Sequence, residues 1–413
     1  MITGVGILVG NGKGKDQFWQ SLKEGRIGYR PATVFDPAEY SVKEVGEVPD
    51  FDAKVYMGPK GLRLLDRATR LMISAGRLCV LDSGFKVTQE NTDDVGVSVG
   101  TTLGSIKSIY DFDYVTLTEG PRYVNPALFP NTVINSPASQ VSIWEHIEGL
   151  NSTISTGFTA SLDAMSYAYD FIVDGKYKLI YAGGVEEMCW QTFMGFYVLK
   201  FLSGSKPGEP FVNCPFDRRR NGVTFGEGAC LLAMEDYEHA KERGANILAE
   251  VAGFGYSFDP FRIHKYNPRG VGLKRAMRFA LENSGVQPEE IDCIAANANS
   301  TVAADKIETE AIKEIFGKRA YEIPVSAVKS MVGECYSVSG AIAVAAFVGA
   351  LTQDFIPPTV NYQEKDPDCD LDYVPNQSRP ARLNNILIVN FAPSGNNACM
   401  VLKRFEEGSH PPV

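Results

Sequence analysis

The stretch Asn151–Gly184, NSTISTGFTASLDAMSYAYDFIVDGKYKLIYAGG, carries the sequence pattern of a strand, a turn, a helix and a second strand. A β-rich run at Asn151–Thr156 predicts the first strand, and Gly157 predicts the tight turn that follows it. Ala160–Val173 predicts a helix, because its apolar residues recur at helical spacing on one face: Leu162, Met165, Tyr169 and Ile172. Leu179–Ala182 then predicts a strand that ends in two glycines. This order indicates an α/β unit.

The same order of elements recurs later in the chain. Ile323–Val328 predicts a strand, a turn containing Gly333 follows, and residues 338–351 predict a helix of small apolar residues. A further strand is predicted at Ile386–Asn390, followed by a turn at Ala392–Gly395. Other elements are predicted nearer the N-terminus: strands at Ile2–Val9 and Val95–Val99, and helices at Lys15–Lys23 and Gly61–Val80. Two copies of one strand–turn–helix–strand unit predict a duplicated α/β fold with helices packed between sheets.

The composition excludes several classes of protein. The 413 residues include 40 Lys and Arg against 50 Asp and Glu, which gives a formal charge of −10. Binding to nucleic acid or to an anionic membrane surface is not expected, because those partners need a basic face. Hydrophobic residues make up 44% and charged residues 22%, which predicts a large buried core. The apolar run Val338–Leu351 is too short to span a bilayer, and we interpret it as a buried helix.

Cysteine and histidine usage limits the chemistry further. None of the eight cysteines belongs to a CxxC pair, so we expect reduced thiols, no bound metal and no cofactor. The N-terminus has no basic segment ahead of its apolar stretch, so a signal peptide is not expected and the sequence predicts a cytoplasmic protein. We expect surface or structural roles for the four histidines, which are His146, His239, His264 and His410.

A set of short motifs runs through the whole chain. Pro215–Ala229, PFDRRRNGVTFGEGA, matches the pattern PFD-x-x-R-x-G-x-x-x-GEGA. Further motifs are the opening strand Ile2–Gly6, Asp66-Arg67, AGG-x-E at Ala182–Glu186, D-x-I-E at Asp305–Glu308 and K-S-x-x-G at Lys329–Gly333. Together these stretches resemble the β-ketoacyl synthase (condensing enzyme) family of the thiolase fold, from Ile2 to about Leu402.

The resemblance implies a fold and a domain organisation. Condensing enzymes of this family have a thiolase-like α/β fold, in which two duplicated βαβαβαββ halves form a layered αβαβα core. In this chain, residues 1–240 would form the N-terminal half and residues 241–405 the C-terminal half. Residues 406–413, EEGSHPPV, are expected to form a flexible tail.

The three positions that carry the family's chemistry have changed in this chain. The family uses a Cys at a helix N-terminus as the acyl-accepting nucleophile, and two His residues stabilise the enolate formed when malonyl-carrier protein decarboxylates. In the nucleophile motif S-T-A-C-x-S-G, this chain has Phe158 in place of the Cys. Counting back from Asp305 by the family's spacing places Asn297 at the first His, and Glu334 stands at the second His.

These substitutions remove the groups that condensation needs, so we predict no catalytic residue at the three positions. The ring of Phe158 has no acid, base or nucleophile, and an ionised Glu334 repels the anion that a His would stabilise. We expect Phe158 to be buried and to fill the space of the former thiol and acyl chain. Cys335 is interpreted as an inert buried thiol. Glu334 is expected to pair with Lys329 or to hydrogen-bond to Asn297.

Two further groups of residues are candidates for contacts with partners. The segments 105–114 and 125–136 correspond to the family's dimer-interface region, which lines the acyl tunnel of the partner subunit. The tunnel and chain-length candidates are its bulky residues, for which ordinary interface packing is the alternative: Tyr110, Phe112, Tyr114 and Phe129. Arg218 and Arg219 are candidates for contact with an acidic acyl carrier protein, and a solvated face is the alternative.

A subunit that keeps this scaffold without its reactive groups resembles a chain length factor, the β subunit of a type II polyketide synthase. The resemblance implies a heterodimer with a catalytic ketosynthase, or a dimer of such heterodimers, in which this chain shapes the interface tunnel and limits chain length. The second partner would be an acyl carrier protein with a malonyl or polyketide chain, and an aromatic polyketide is favoured over a polyene. Two alternatives stay open: a self-sufficient malonyl-carrier-protein decarboxylase or acyltransferase that uses Glu334 and Asn297, and a homodimer that binds acyl chains or carrier protein.

Overall fold

A computed structural model of the chain describes residues 1–262 and 265–407. The strands are β1 (Ile2–Val9), β2 (Gly12–Lys13), β3 (Arg30–Pro31), β4 (Glu44–Val45), β5 (Val95–Gly100), β6 (Asn151–Ile154), β7 (Leu179–Glu186), β8 (Gly228–Glu235), β9 (Glu250–Phe258), β10 (Cys293–Ala295), β11 (Val325–Ser326), β12 (Phe355–Ile356), β13 (Arg379–Pro380), β14 (Asn385–Phe391) and β15 (Asn396–Lys403). The α-helices are α1 (Lys15–Lys23), α2 (Lys54–Met57), α3 (Arg67–Ser83), α4 (Ile106–Thr118), α5 (Ser136–Glu145), α6 (Ala160–Val173), α7 (Trp190–Val198), α8 (Tyr237–Glu242), α9 (Val271–Ser284), α10 (Val302–Phe316), α11 (Lys329–Val332) and α12 (Ser339–Gln353). Short 3₁₀ turns lie at Pro126–Thr132, Gly157–Thr159, Pro288–Glu290, Gly317–Tyr321 and Tyr336–Val338.

Two mixed sheets with the same strand order organise the fold. The first has the order β2-β1-β8-β7-β5-β6, and the second has the order β11-β10-β14-β15-β9. Read from its other end, the second sheet has the order β9-β15-β14-β10-β11. These five strands correspond one by one to β1-β8-β7-β5-β6 of the first sheet. The directions also agree, since β5 is parallel to β6 and β7 while β10 is parallel to β11 and β14. The chain is therefore an internal duplication, as the recurring sequence pattern predicted.

Helices cover both sheets and separate them from each other. Helix α3 packs on β1 and β8, and α9 packs on β9 and β15. Helices α6 and α12 contact each other in the middle layer, where α6 also contacts β5 and β7, and α12 contacts β14. One apolar cluster fills the middle layer and includes Leu162, Ile342 and Ile388, and the outer layers have clusters of their own. This arrangement confirms the layered αβαβα core.

Helix α12 is apolar on all sides because it lies between the two sheets. Every residue from Ser339 to Leu351 is buried. Tyr336–Gln353 has the length and mean hydropathy (1.4) of a membrane-spanning helix, but 83% of this segment is buried inside the fold. The helix therefore belongs to the protein core, as predicted for Val338–Leu351.

Most predicted elements are confirmed, although several have different limits: β6 ends two residues earlier than predicted, β7 continues to Glu186 instead of Ala182, and α3 and β11 also differ. Helix α3 begins only at Arg67 instead of Gly61, because the carboxylate of Asp66 caps it by accepting a hydrogen bond from the amide of Thr69 at 2.7 Å. The strand predicted at Ile323–Val328 is reduced to β11, since α11 already begins at Lys329.

The predicted boundary between the halves falls inside α8, which connects the last strand of the first sheet to β9. This boundary stays a prediction. The greater part of the predicted tail, residues 408–413, lies outside the described residues, as do His264 and His410.

The duplication makes two turns equivalent: the turn that leads from β6 into α6, and the one that leads from β11 by way of α11 into α12.

Candidate functional site

Phe158 lies in the turn between β6 and α6. Gly157 has a φ of 76°, a left-handed conformation that glycine adopts without strain, and the chain then enters α6 at Ala160. Phe158 is only 4% exposed, and the side-chain amide of Asn390 donates to its backbone carbonyl at 3.0 Å. A helix N-terminus of this kind would stabilise a thiolate, but the residue placed there is an aromatic ring.

Phe158 belongs to a cluster of aromatic rings, which we call the aromatic plug: Phe158, Phe196, Phe201 and Tyr336. The ring centroids of Phe158 and Tyr336 are 4.5 Å apart with an interplanar angle of 60°, and Phe201 lies 6.2 Å from Phe158. Phe196 packs against Tyr336 at 5.5 Å and against Phe201 at 5.8 Å. Contacts near edge-to-face geometry are favourable between aromatic rings. The plug therefore fills the space beside the turn with apolar side chains.

Lys329 joins Asn297 and Glu334 in a buried polar cluster. Its ammonium group donates to Asn297 Oδ1 at 2.7 Å and to Glu334 Oε2 at 2.9 Å. Lys329 is 5% exposed, Glu334 2% and Asn297 1%, so the ion pair is shielded from solvent. The expected pairing of Glu334 with Lys329 is observed, and Glu334 reaches Asn297 through Lys329 rather than directly.

Each oxygen of Glu334 accepts two hydrogen bonds. Oε2 accepts from Lys329 and from the side-chain amide of Asn299 at 3.0 Å. Oε1 accepts from the hydroxyl of Ser339 at 2.6 Å and from the backbone amide of Tyr336 at 3.2 Å. The carboxylate is therefore fully engaged within the chain, and this satisfies the hydrogen-bonding requirement of a buried charge.

Asn297 also uses its polar groups inside the chain. Its side-chain amide donates to the carbonyl of Phe391 at 3.2 Å, and its backbone amide donates to Glu308 Oε1 at 2.7 Å. Burial raises the pKa of Glu308 to about 8. Stabilising an enolate would need donors aimed at the position of the anion. The donors of Asn297 and Lys329 point instead to partners within the fold.

Cys335 follows Glu334 in the chain and is completely buried. Its sulfur lies 3.5 Å from the carbonyl of Glu227. Burial raises the pKa of the thiol, so the group stays protonated, and a neutral thiol is a poor nucleophile. The surroundings of Cys335 are those of an inert thiol. Across residues 1–262 and 265–407, no group of three or more His, Cys, Asp or Glu residues could hold a metal ion.

The two histidines within the described residues have structural surroundings. His239 lies in α8, where its Nδ1 is 2.7 Å from Glu235 Oε1 and its ring packs 5.7 Å from that of Phe85. His146 directly follows α5 and has a φ of 56°, which ends the helix. These placements fit the surface or structural roles expected for both residues.

The four tunnel candidates lie on α4 and the 3₁₀ turn beside it, a region that we call the α4 face, where they form two separate pairs of rings. Tyr110, Phe112 and Tyr114 belong to α4, and Phe129 belongs to the 3₁₀ turn beside it. The rings of Phe112 and Phe129 are 6.0 Å apart, and those of Tyr110 and Tyr114 are 5.9 Å apart. Tyr110, Tyr114 and Phe129 are 44%, 54% and 56% exposed. Clustered exposed aromatic residues are typical of a surface that contacts a partner.

Arg218 and Arg219 differ in their surroundings. Arg219 donates to both oxygens of Asp217 at 2.9 and 3.1 Å, and to Asn361 and Gln363 at 2.8 Å each. Its guanidinium group therefore holds two loops together. Arg218 is exposed on the same loop, so it is the better placed of the two for contact with a carrier protein.

Two features of the molecule were missed by reasoning from sequence. One is Tyr336 with its ring partners, which are far from Phe158 in the chain. The other is a predominantly basic cavity of about 380 Å³, whose charged lining residues are Lys54, Arg63, Arg67 and Arg70 together with one acid, Asp52. Arg67 is paired with Glu227, whereas Arg63 is exposed. The recurrence of arginine at positions 63, 67 and 70 is the signal that could have indicated this cavity.

Comparison with protein families agrees with this architecture. The model of the β-ketoacyl synthase N-terminal domain matches residues 1–240, and the model of the C-terminal domain matches residues 248–363. The chain belongs to the β-ketoacyl synthase family. The resemblance drawn from the motifs is thereby confirmed at the level of the family, together with its thiolase-like α/β fold.

Relatives in this family align along nearly the whole chain. A 3-oxoacyl-[acyl-carrier-protein] synthase 2 of Coxiella burnetii is 34% identical over 405 residues, which cover 98% of each chain. The tetracenomycin polyketide synthase ketoacyl synthase alpha subunit of Streptomyces glaucescens is 34% identical over 416 residues, which cover 98% of this chain and 97% of that one. The family thus includes a 3-oxoacyl-[acyl-carrier-protein] synthase and a polyketide synthase subunit that this chain matches along nearly their full length.

Two solved β-ketoacyl synthase structures are also closely similar. The ishigamide ketosynthase/chain length factor superposes with a TM-score of 0.91 and 32% identity, covering 98% of each chain. AntDE:AntF, a type II polyketide synthase acyl-carrier protein in complex with its ketosynthase, superposes with a TM-score of 0.89 and 27% identity, also covering 98% of each chain. The chain therefore has the fold of a type II β-ketoacyl synthase, with Phe158, Asn297 and Glu334 in its centre.

Proposed function

We propose that this chain is a non-catalytic chain length factor that forms a heterodimer with a catalytic ketosynthase in a type II polyketide synthase. The observation that carries the proposal is the ring of Phe158 at the N-terminus of α6. A condensing subunit must form a thioester at that position, and a benzyl side chain has no nucleophilic atom. The chain keeps the family's fold around this position, but the position lacks the nucleophile on which condensation depends.

The buried polar cluster supports the same conclusion. Decarboxylation of a malonyl group requires stabilisation of the enolate by donors in an accessible pocket. Asn297 and Lys329 donate to atoms of the chain itself, and the negative charge of Glu334 would oppose an enolate. These contacts argue against a self-sufficient decarboxylase or acyltransferase that uses Glu334 and Asn297.

The α4 face and the free edge of the first sheet support a protein partner. Strand β6 lies at the end of its sheet, where unpaired backbone groups can bond to another chain. The exposed aromatic residues of the α4 face are suited to burial in a large interface. Likeness to a ketosynthase/chain length factor structure makes a catalytic ketosynthase the proposed partner, in a heterodimer or a dimer of heterodimers.

An acyl carrier protein is the second proposed partner, with a malonyl or polyketide chain as its cargo. Arg218 and the basic cavity around Arg63 offer positive charge on an acidic chain, which would guide an acidic carrier domain into place. In the cytoplasmic complex, the α4 face would limit product length by the depth of the tunnel it closes. That the product is an aromatic polyketide rather than a polyene stays a prediction.

Co-expression with a candidate ketosynthase tests this function. We expect a stable 1:1 complex that makes product with malonyl-carrier protein, whereas this chain alone yields no acetyl product and gains no acyl mass. Acetyl product or an acyl adduct on the chain alone would establish an enzyme instead. A homodimer that binds carrier protein and ignores every ketosynthase would establish a binding module.

Variants of the α4 face test the limit on chain length. Replacing Tyr110, Phe112 or Phe129 by Ala should lengthen the product, because each change deepens the proposed tunnel. The control is Leu81→Ala, an exposed residue of α3, which should leave the product unchanged. Unchanged product length in all three variants would reject the α4 face as the region that limits chain length.

Phe158→Cys alone should not restore condensation, since Asn297 and Glu334 remain.

A further inference from the structure

The backbone at Tyr336 has an unusual conformation that depends on nearby contacts. Its φ is 55°, in the left-handed region that residues with a β-carbon rarely adopt. Tyr336 begins the 3₁₀ turn Tyr336–Val338, which leads directly into α12. A strained conformation persists only where the surroundings enforce it. Contacts with neighbouring residues must therefore hold Tyr336 in this conformation.

The side chain of Glu334 supplies such contacts. Its Oε1 accepts from the backbone amide of Tyr336 at 3.2 Å and from the hydroxyl of Ser339, in the first turn of α12, at 2.6 Å. Its Oε2 is fixed from the other side by Lys329 at 2.9 Å and Asn299 at 3.0 Å. One oxygen thus anchors the carboxylate in the polar cluster, while the other accepts from the backbone at the first residue of the 3₁₀ turn and from the side-chain hydroxyl that follows the turn.

The orientation of Tyr336 determines whether the aromatic plug is closed. Its ring centroid lies 4.5 Å from that of Phe158 and 5.5 Å from that of Phe196, so it joins rings from two other segments. A different backbone conformation at Tyr336 would carry this ring away from the N-terminus of α6. The polar cluster and the aromatic plug therefore meet at this one residue.

We propose that Glu334 is a positioning residue: by holding Tyr336 in its left-handed conformation, it keeps the aromatic plug closed over the N-terminus of α6. The closed plug excludes an acyl thioester from this subunit, so that the growing chain stays with the partner. The inference rests on the proposed non-catalytic function and deepens it. It gives the residue at a former histidine position a task of its own.

Alkylation of a thiol placed beneath the plug tests this inference in the full-length chain. Phe158→Cys provides the thiol, and all eight native cysteines are buried, which keeps the background low. In the reaction with iodoacetamide, the thiolate attacks the methylene carbon, a C–S bond forms, iodide leaves and the thiol proton passes to the buffer. Mass spectrometry of the peptide that contains position 158 gives the rate.

Two matched variants in the Phe158→Cys background isolate the contact of interest. Both carry Lys329→Met, which avoids an unpaired buried ammonium group. Glu334→Gln keeps a carbonyl oxygen that can accept from Tyr336 and Ser339, whereas Glu334→Ala removes it. We expect alkylation at least about tenfold faster with Ala than with Gln, because the loss of two buried hydrogen bonds opens the plug. The Gln variant should react at nearly the rate of Phe158→Cys alone.

Equal rates in the Gln and Ala variants would overturn the positioning role of Glu334. A second variant, Tyr336→Ala in the Phe158→Cys background, leaves the polar cluster intact and should also accelerate alkylation about tenfold, because it removes the ring itself. No acceleration in this variant would show that Tyr336 does not close the plug. These rates are independent of ketosynthase binding and product formation, so their failure is distinct from failure of the proposed function.

Discussion

The two equivalent turns of the duplicated fold differ in the side chain that each one buries. After β6, the turn carries Phe158, whose ring is enclosed by other aromatic rings. After β11, the turn carries Glu334, whose charge is balanced by Lys329. An apolar side chain in a core is stable wherever it fits, whereas a buried charge is tolerated only with its partner. The second turn should therefore be the more sensitive to single substitutions.

The largest effect is expected from Glu334→Ala. It leaves the buried ammonium group of Lys329 without its counter-charge, which should lower the free energy of unfolding by about 3–5 kcal/mol. Chemical denaturation monitored by circular dichroism measures the change. The control is the double variant K329M/E334L, which removes both charges and should cost about 1 kcal/mol or less. If the double variant were as unstable as the single one, the ion pair would not explain the sensitivity of this turn.

A smaller effect is expected in the first turn. Phe158→Ala leaves a cavity in the aromatic plug and should lower the free energy of unfolding by about 3 kcal/mol. Phe158→Leu keeps much of the volume and should cost about 1.5 kcal/mol or less. The same denaturation experiment compares the two variants. Equal losses for Ala and Leu would mean that ring packing, rather than apolar volume, stabilises this turn.

Local patterns predicted much of the fold, because they report local structure. The helix Ala160–Val173 and the strand Ile2–Val9 have the predicted limits, since their periodicity and their turn residues agree. Helix α3 was predicted too long because the apolar spacing continues ahead of Asp66, whose carboxylate caps the helix. The matching strand order of the two sheets depends on pairing between segments that are distant in the chain. Local patterns do not report such pairing, and only the recurrence of the strand–turn–helix–strand pattern indicated a duplicated fold.

The candidate site was predicted in part, for a related reason. Motif spacing located Phe158, Asn297 and Glu334, because each lies at a fixed distance from a recognisable stretch. The same spacing could not predict that Tyr336 would lie against Phe158, since this contact joins the two halves of the chain. It also could not distinguish Arg219, which is bound to Asp217, from its exposed neighbour Arg218.

Another buried carboxyl group near the polar cluster, that of Glu308, forms no ion pair with the described residues, unlike that of Glu334. Glu308 accepts from the backbone of Asn297, and burial raises its pKa to about 8. Because this pKa is above that of the unfolded chain, near 4.5, the stabilisation is complete at low pH and is lost as the pH rises toward 8. Glu308→Gln mimics the protonated form and should reduce the loss between pH 5 and pH 8 by about 3 kcal/mol. Parallel pH profiles for the two proteins would contradict this assignment.

The smallest expected effect is the coupling between the two turns through the aromatic plug. A double-mutant cycle with Phe158→Leu and Tyr336→Leu should give an interaction free energy of about 0.5–1.5 kcal/mol, the range for paired aromatic rings. Chemical denaturation of the four proteins of the cycle gives this interaction free energy. As a control, the effects of Phe158→Leu and of Leu81→Ala on the surface should add to within about 0.5 kcal/mol when the two changes are combined. An interaction energy near zero for the aromatic pair would mean that the two turns are closed independently. A measurable one would show that the two turns stabilise each other through the contact between these two rings.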